Sequence, residues 1–213
     1  MIKLTFLLEK KNNWIVKKVK NSNFSKKFRI KISYDSKKII NEDIVIILSY
    51  TKILDNQFLQ SNKFNLVVHS SNLPENKGFA PLSYQILNHK RKIFNTIFKI
   101  NEKVDNGDYY FKNYFSTNGT ELYDELRDIQ GNSIMQLIKK FLNKYPNVKS
   151  FKQKGFGNFN KRRKPEDSKL NIDKNIKSQF NLLRICDNEK FPAFFIYKKK
   201  KYILKIFKYK KNQ

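Results

Sequence analysis

Residues Asn65 to Pro81 read NLVVHSSNLPENKGFAP. An apolar strand, Leu66-Val67-Val68, ends at a histidine, His69. A polar loop follows, carrying Leu73-Pro74 and the pair Lys77-Gly78. Pro81 then opens a helix over Pro81 to Leu87, since proline suits a first helical turn. A histidine at the carboxyl end of a buried strand stands where open α/β sheets gather their chemistry. By position alone it is equally a strand-ending residue bonded to backbone, and both readings stay open.

Working outward, Asp43 to Ser49 (DIVIILS) is a continuous β-branched run, as a parallel strand covered on both faces reads. Lys3 to Leu8 is a buried strand, and Lys27 to Ser33 alternates apolar and basic residues as a half-exposed one. Asn12 to Val19 and Asn56 to Ser61 are short helices between them. This succession predicts an α/β fold, a mostly parallel Rossmann-like sheet flanked by helices. Downstream, Lys92 to Ile100 is a strand, Glu102 to Asp108 a tight turn with Asn-Gly near its centre, and Tyr109 to Phe115 a strand. A long helix spans Thr120 to Leu142, capped by Thr120, with Glu121 and Asp124 near its positive end. Gly131 and Asn132 weaken its middle, and Tyr145-Pro146 ends it. Residues 1–146 thus form the main domain. Residues 147–213 add a basic arm leaving the sheet over 148–169, a helix from Asp173 to Ile185 with Ile176, Phe180 and Leu183 inward, and a β-hairpin from Ala193 to Phe207.

The 213 residues carry a formal net charge of +27, spread along the chain. Its Lys-, Asn- and Ile-rich composition is of the kind an AT-rich genome produces, so the charge reads as background and no dedicated nucleic-acid site is expected. The lone cysteine, Cys186, allows no intrachain disulfide and suits a reducing compartment. No CxxC or His-x-x-x-His spacing indicates a metal site. The N-terminal apolar run is cut by Glu9, Lys10 and Lys11, too early for a signal peptide or membrane span. The expected location is cytoplasmic. No P-loop, GxGxxG or GxSxG motif is present, and Gly155-Phe-Gly157 is too weak to interpret.

Chemistry centres on His69 and Asp105. Asp105 lies in the turn after a strand expected to neighbour the one ending at His69, and turns at the carboxyl edge of such sheets converge on one crevice. A carboxylate beside a histidine fixes its tautomer and supports its cation during proton transfer. The other reading of Asp105 is an Asx bond holding its own turn.

These residues resemble a known family. HSSNLPENKGFAPLSYQIL, His69 to Leu87, is similar to the His-x-Ser-x-Leu-Pro-x-x-Arg/Lys-Gly-x-x-Pro loop of the 10-formyltetrahydrofolate-dependent formyltransferases. EKVDNGDYY, Glu102 to Tyr110, resembles their Leu-Asp-x-Gly-Asp turn, and the separation of 36 residues, 69 to 105, is the family's. RRKPEDSKL from Arg162 and RICDNEKFPAFF from Arg184 resemble segments following the catalytic domain in several members. The resemblance implies a catalytic His69 oriented by Asp105, and 10-formyltetrahydrofolate as formyl donor, its pterin gripped around Ser49, Tyr50, Thr51, Lys52, Ile53 and Leu54. Three departures stand out. Val67 occupies the place of an Asn that helps hold the formyl oxygen, and Asn65 lies two residues further back, roughly 6–7 Å away. The start is short, and the chain stops where methionyl-tRNA formyltransferases continue into a tRNA-binding β-barrel domain. What remains resembles the nucleotide-sugar N-formyltransferases. The implied substrate is thus the amine of a nucleotide-linked amino sugar, with Arg162, Arg163 and Arg184 as candidates for its diphosphate. Alternatives are a methionyl-tRNA acceptor, a degenerate member that binds without catalysing and, last, a basic nucleic-acid module. A homodimer is left open.

Overall fold

The computed structural model describes residues 1–10 and 12–209. In chain order the elements begin with β1 (Ile2–Leu7), α1 (Asn13–Lys20), β2 (Phe28–Ser33), β3 (Ile44–Ile47), α2 (Asn56–Gln60) and β4 (Phe64–His69). There follow β5 (Lys77–Gly78), α3 (Pro81–Leu87), β6 (Lys92–Lys99), β7 (Tyr109–Ser116) and α4 (Tyr123–Lys144), then β8 (Phe159–Asn160), α5 (Ile176–Arg184), β9 (Ala193–Tyr197) and β10 (Lys200–Leu204). Six strands form one sheet in the order β2-β1-β3-β4-β6-β7. The first three pairings are parallel, and the β4–β6 and β6–β7 pairings are antiparallel. This is the expected α/β class with a mainly parallel central sheet.

Alternation along the strands divides the core into two faces. Even-numbered residues of β1, β3 and β4, among them Phe6, Ile46 and Leu66, pack with Ile15 of α1 and Phe141 of α4. Odd-numbered ones, Leu7, Ile47 and Val67, pack with Phe58 of α2. His69 continues the odd series, so its ring leaves β4 on the face away from α4.

Several local expectations change. Helix α4 begins at Tyr123, and Thr120 is no cap: its hydroxyl and N–H both bond to Asn118 Oδ1. The helix runs unbroken through Gly131 and Asn132, where Lys18 of α1 ties to Asn132 Oδ1 at 2.7 Å and to Asp128. Ile176 is exposed rather than inward, because α5 meets the core through Phe180, Leu182 and Leu183, with Ile185 beside it. In the C-terminal hairpin Lys198 and Lys199 both adopt positive φ, as a two-residue hairpin turn demands, so the second strand starts at Lys200.

The arm does not leave the sheet. Phe151 and Tyr109 exchange backbone hydrogen bonds at 2.8 and 2.9 Å, and β8 pairs in parallel with β5 in the loop after His69. Gly157 packs so closely on that loop that a Cβ there would stand 2.1 Å from the carbonyl of Pro74. Unpaired backbone in the loop thereby gains partners from residues some 80 positions away, which local pattern cannot reveal. Among the described residues no helix is long and apolar enough to cross a membrane, and no group of three or more His, Cys, Asp or Glu could hold a metal ion.

Candidate active site

His69 ends β4 with its side chain largely buried. Ring Nε2 lies 2.8 Å from the backbone carbonyl of Asn76. A carbonyl only accepts, so Nε2 carries the proton in this contact. The other nitrogen, Nδ1, faces Asp105 Oδ2 at 3.7 Å, beyond a hydrogen bond but within ion-pair range. Asp105 Oδ2 also accepts the Gly78 N–H at 2.7 Å, a charge-assisted bond that aims the carboxylate.

The two residues meet, but by another route than strand direction suggests. Because β6 runs antiparallel to β4, Lys99 lies beside Leu66, and the Ile100 N–H bonds to the carbonyl of Asn65. The turn after β6 therefore starts at the amino end of β4. It must fold back along β4 to bring Asp105 to His69. Gly107 makes that fold possible: a Cβ there would lie 1.5 Å from the carbonyl of Lys99. Lys77 Nζ donates to Asn106 Oδ1 at 2.9 Å, and Gln153 Nε2 donates to the carbonyls of Asp105 and Gly107 at 3.1 and 2.9 Å. Ser49, Asn76, Ala80 and Asp105 all have positive φ, so non-glycine backbone strain gathers around this site.

Beneath His69, a buried polar cluster anchors the chain as it leaves β4. Ser70 Oγ donates to Asn95 Oδ1 at 2.9 Å and accepts from Gln130 Nε2 of α4 at 2.6 Å. Gln85 Nε2 donates to the Ser70 carbonyl, and Thr96 Oγ1 to the Ser71 carbonyl, each at 2.6 Å. Lys112 shares a cross-strand row with Thr96 and His69. Its ammonium is held by Asn72 Oδ1 and the Leu73 carbonyl, and burial pulls it below the usual lysine range. Sequence reading assigned no role to Gln85, Asn95, Thr96, Lys112 or Gln130. The available signal was an amide, Asn95, inside the apolar strand KIFNTIFKI, and another, Gln130, on an apolar helix face.

Of the donor-binding candidates, Tyr50 and Leu54 are half-buried against the cluster that contains Val67 and Ile47, on His69's face of the sheet. Ser49, Thr51, Lys52 and Ile53 are exposed, Ile53 almost fully. Glu9 fastens this segment by accepting from the Thr51 N–H and hydroxyl at 2.8 and 2.6 Å. The arginines divide. Arg162 is exposed, its guanidinium 5.7 Å from the Phe79 ring. Arg163 donates to the Asp167 carbonyl at 2.8 Å. Arg184 corrects the sequence expectation: it is buried, with Nη1 3.3 Å from Glu121 Oε2 and Nε donating to Asn181, so its guanidinium is committed to the core.

Comparison with known proteins bears on this geometry. The family model described as Formyl transferase matches residues 7–138, more than half of the chain. Methionyl-tRNA formyltransferase of Thermosipho melanesiensis is 33% identical over 165 residues, covering 74% of this chain and 52% of that protein. The chain thus spans about half the length of this relative. Among solved structures, methionyl-tRNA formyltransferase from Clostridium thermocellum shares the fold at TM-score 0.78 and 21% identity, with 99% of this chain and 94% of that one covered. A sugar N-formyltransferase from Shewanella sp FDAARGOS_354 does so at 0.74 and 17%, with 97% of each covered. A motif-bearing loop after β4, a folded-back Asp turn and a matching family model over the same residues lead to one conclusion: this chain belongs to the formyl transferase family.

Proposed function

We propose that this chain transfers a formyl group from 10-formyltetrahydrofolate to a primary amine, the α-amine of methionyl-tRNA. The observation that carries the reading is the disposition of His69. With Nε2–H committed to the Asn76 carbonyl, Nδ1 is the basic nitrogen, and it faces Asp105 Oδ2 across 3.7 Å. The proton shed by the attacking amine passes to Nδ1. The imidazolium so formed lies between a carbonyl and a carboxylate, both acceptors, which stabilise it without further rearrangement.

The residues on the same face suit the donor. Tyr50, Ile53 and Leu54 offer apolar surface to a flat pterin, and the chain from Ser49 to Leu54 offers backbone edge groups. When bound, the donor supplies an activated formyl carbon; the chain supplies position, base and water exclusion.

For the acceptor, the sequence relative favours methionyl-tRNA over the nucleotide sugar suggested by sequence alone. The arm that crosses the site supports the same choice. It carries Lys149, Lys152, Lys154, Lys161, Arg162, Arg163 and Lys164 with no acid among residues 149–164. Phe151, Phe156 and Phe159 stand exposed between them, a pattern suited to a single-stranded nucleic-acid end. Burial of Arg184 removes one candidate diphosphate contact from the sugar reading. The likeness to a sugar N-formyltransferase over nearly the whole of both chains keeps a nucleotide-linked amino sugar as the second reading.

The test is formyl transfer from labelled 10-formyltetrahydrofolate to methionyl-tRNA and to a panel of nucleotide-linked amino sugars. Methionyl-tRNA should be the better acceptor, and His69→Asn should lower kcat/KM by about 10²–10⁴. Transfer to a sugar amine alone would install the second reading, and full turnover by the variant would remove His69 from the mechanism.

A further inference from the structure

Two halves of the site, the ring of His69 and the carboxylate of Asp105, are held from a third segment. Asn158 Oδ1 accepts the Asn76 N–H at 2.8 Å, and the Asn158 carbonyl accepts the Lys77 N–H at 2.9 Å. Asn160 Nδ2 donates to Asn76 Oδ1 at 3.3 Å. Asn76 sits at φ +53, a conformation that needs such fastening, and its carbonyl receives His69 Nε2–H. On the other side Gln153 Nε2 bridges the carbonyls of Asp105 and Gly107, and Asp105 is itself at φ +48.

We propose that Gln153 and Asn158 are positioning residues of the His69–Asp105 pair. Asn158 fixes the Asn76 carbonyl and so the Nε2–H tautomer of His69, which leaves Nδ1 as the base. Gln153 fixes the folded-back turn that carries Asp105. Neither residue touches the reacting atoms. The arm 151–160 is in this sense part of the site, and the consequence for catalysis rests on the formyl-transfer reading above. A hydrogen bond from Nε2 to a carbonyl selects one tautomer; losing it returns the ring to a mixture in which part of the population has no basic nitrogen toward Asp105. Loss of register at an active site by about 1 Å costs up to about 10²-fold in rate. The other charged groups near the ring are Lys77 on Asn106, Lys112 on Asn72 and Leu73, and Glu75 of the same loop, whose charge acts on Lys112; all three are present in every variant.

The chain has only two histidines, His69 and His89, so ¹⁵N spectra of the imidazoles are simple, and His89→Gln assigns them. Wild-type His69 should carry its proton on Nε2 at pH values where the ring is neutral. Asn158→Ala should give mixed tautomers and lower kcat about 10- to 100-fold with little change in KM. Asn158→Asp, which keeps the acceptor oxygen, should restore the wild-type tautomer. Gln153→Leu should keep the tautomer but displace the pH profile of kcat/KM. A wild-type ring protonated on Nδ1 overturns the proposal before any variant is made. So does a pair of variants that lose thermal stability while tautomer and pH profile stay as in wild type. If the tautomers respond as expected yet no amine is formylated, the positioning roles stand and the proposed function falls.

Discussion

Val67 is the residue at which this chain parts from the pattern it otherwise resembles. It is half-buried and packs with Ile47, Tyr50 and Leu54 on the face that carries His69. The nearby amides are engaged elsewhere. Asn65 Nδ2 donates to the Leu59 carbonyl at 2.9 Å, Asn72 Oδ1 accepts from Lys112 at 2.8 Å, and the Ser71 N–H donates to the carbonyl of His69. Both N–H groups of the His69 imidazolium face acceptors, so the developing charge on the formyl oxygen has the charge of that cation, rather than an amide at position 67, to stabilise it. Restoring one oxyanion donor is worth about 10²–10³ in rate where geometry allows, and an amide buried without partners costs about 1–3 kcal/mol. Val67→Asn should therefore fold with a lower Tm and turn over at least as fast as wild type. A sharp fall in turnover with the fold retained would mean that Val67 shapes a different acceptor site. Appearance of activity only in the variant would mark the natural chain as a non-catalytic member.

Among the elements, the approach to α4 holds the least expected interaction. Glu121 precedes the helix, where its carboxylate accepts the N–H groups of Asn118 and Gly119 at 2.7 and 3.1 Å and pairs with buried Arg184 of α5. Burial pushes this carboxyl upward, but the N–H donors and the guanidinium outweigh it and hold Glu121 below the usual carboxylate range. A folded-state pKa below the unfolded value, about 4.3, means stability that is fully present above that pH. It is lost as pH falls through the lower folded value. Glu121→Gln removes the charge and leaves Arg184 buried without its counterion, which costs about 3 kcal/mol at neutral pH. The variant should also lose part of the acid dependence below about pH 4.3. Thermal unfolding of both proteins from pH 7 to pH 2 measures this. Parallel Tm–pH curves would show that Glu121 is not coupled to folding.

Over the whole molecule the question is what the charge of +27 does. Spread evenly, it concerns solubility and weak attraction to polyanions. Concentrated on the arm beside the site, it becomes a grip. If Lys154, Lys161 and Arg162 touch phosphates, changing all three to Ala should weaken tRNA binding. It should also flatten the plot of log affinity against log salt by about 0.7 to 0.9 per lost contact. Unchanged slope and affinity would return the charge to composition bias, as the sequence alone suggests.

Local pattern settled much of this architecture, because strand and helix signals act over a few residues. The β-branched run 43–49, the strand ending at His69 and the Pro81 helix stand within a residue or two of their sequence positions. The motif spacing likewise joins His69 to Asp105 without any knowledge of how the chain travels between them. Tertiary structure decided everything that depends on partners remote in sequence. The antiparallel entry of β6 sent the Asp105 turn out at the wrong end of β4 and made a glycine at 107 necessary for its return. Pairing of β8 with β5 brought a basic arm back across the site, where 148–169 reads in sequence as an arm leaving the sheet. Core packing claimed Arg184, which looks by residue type alone like a phosphate ligand, because Glu121 lies 63 positions away in sequence and 3.3 Å away in space. Burial and backbone satisfaction are properties of the folded whole, so no window of sequence contains them.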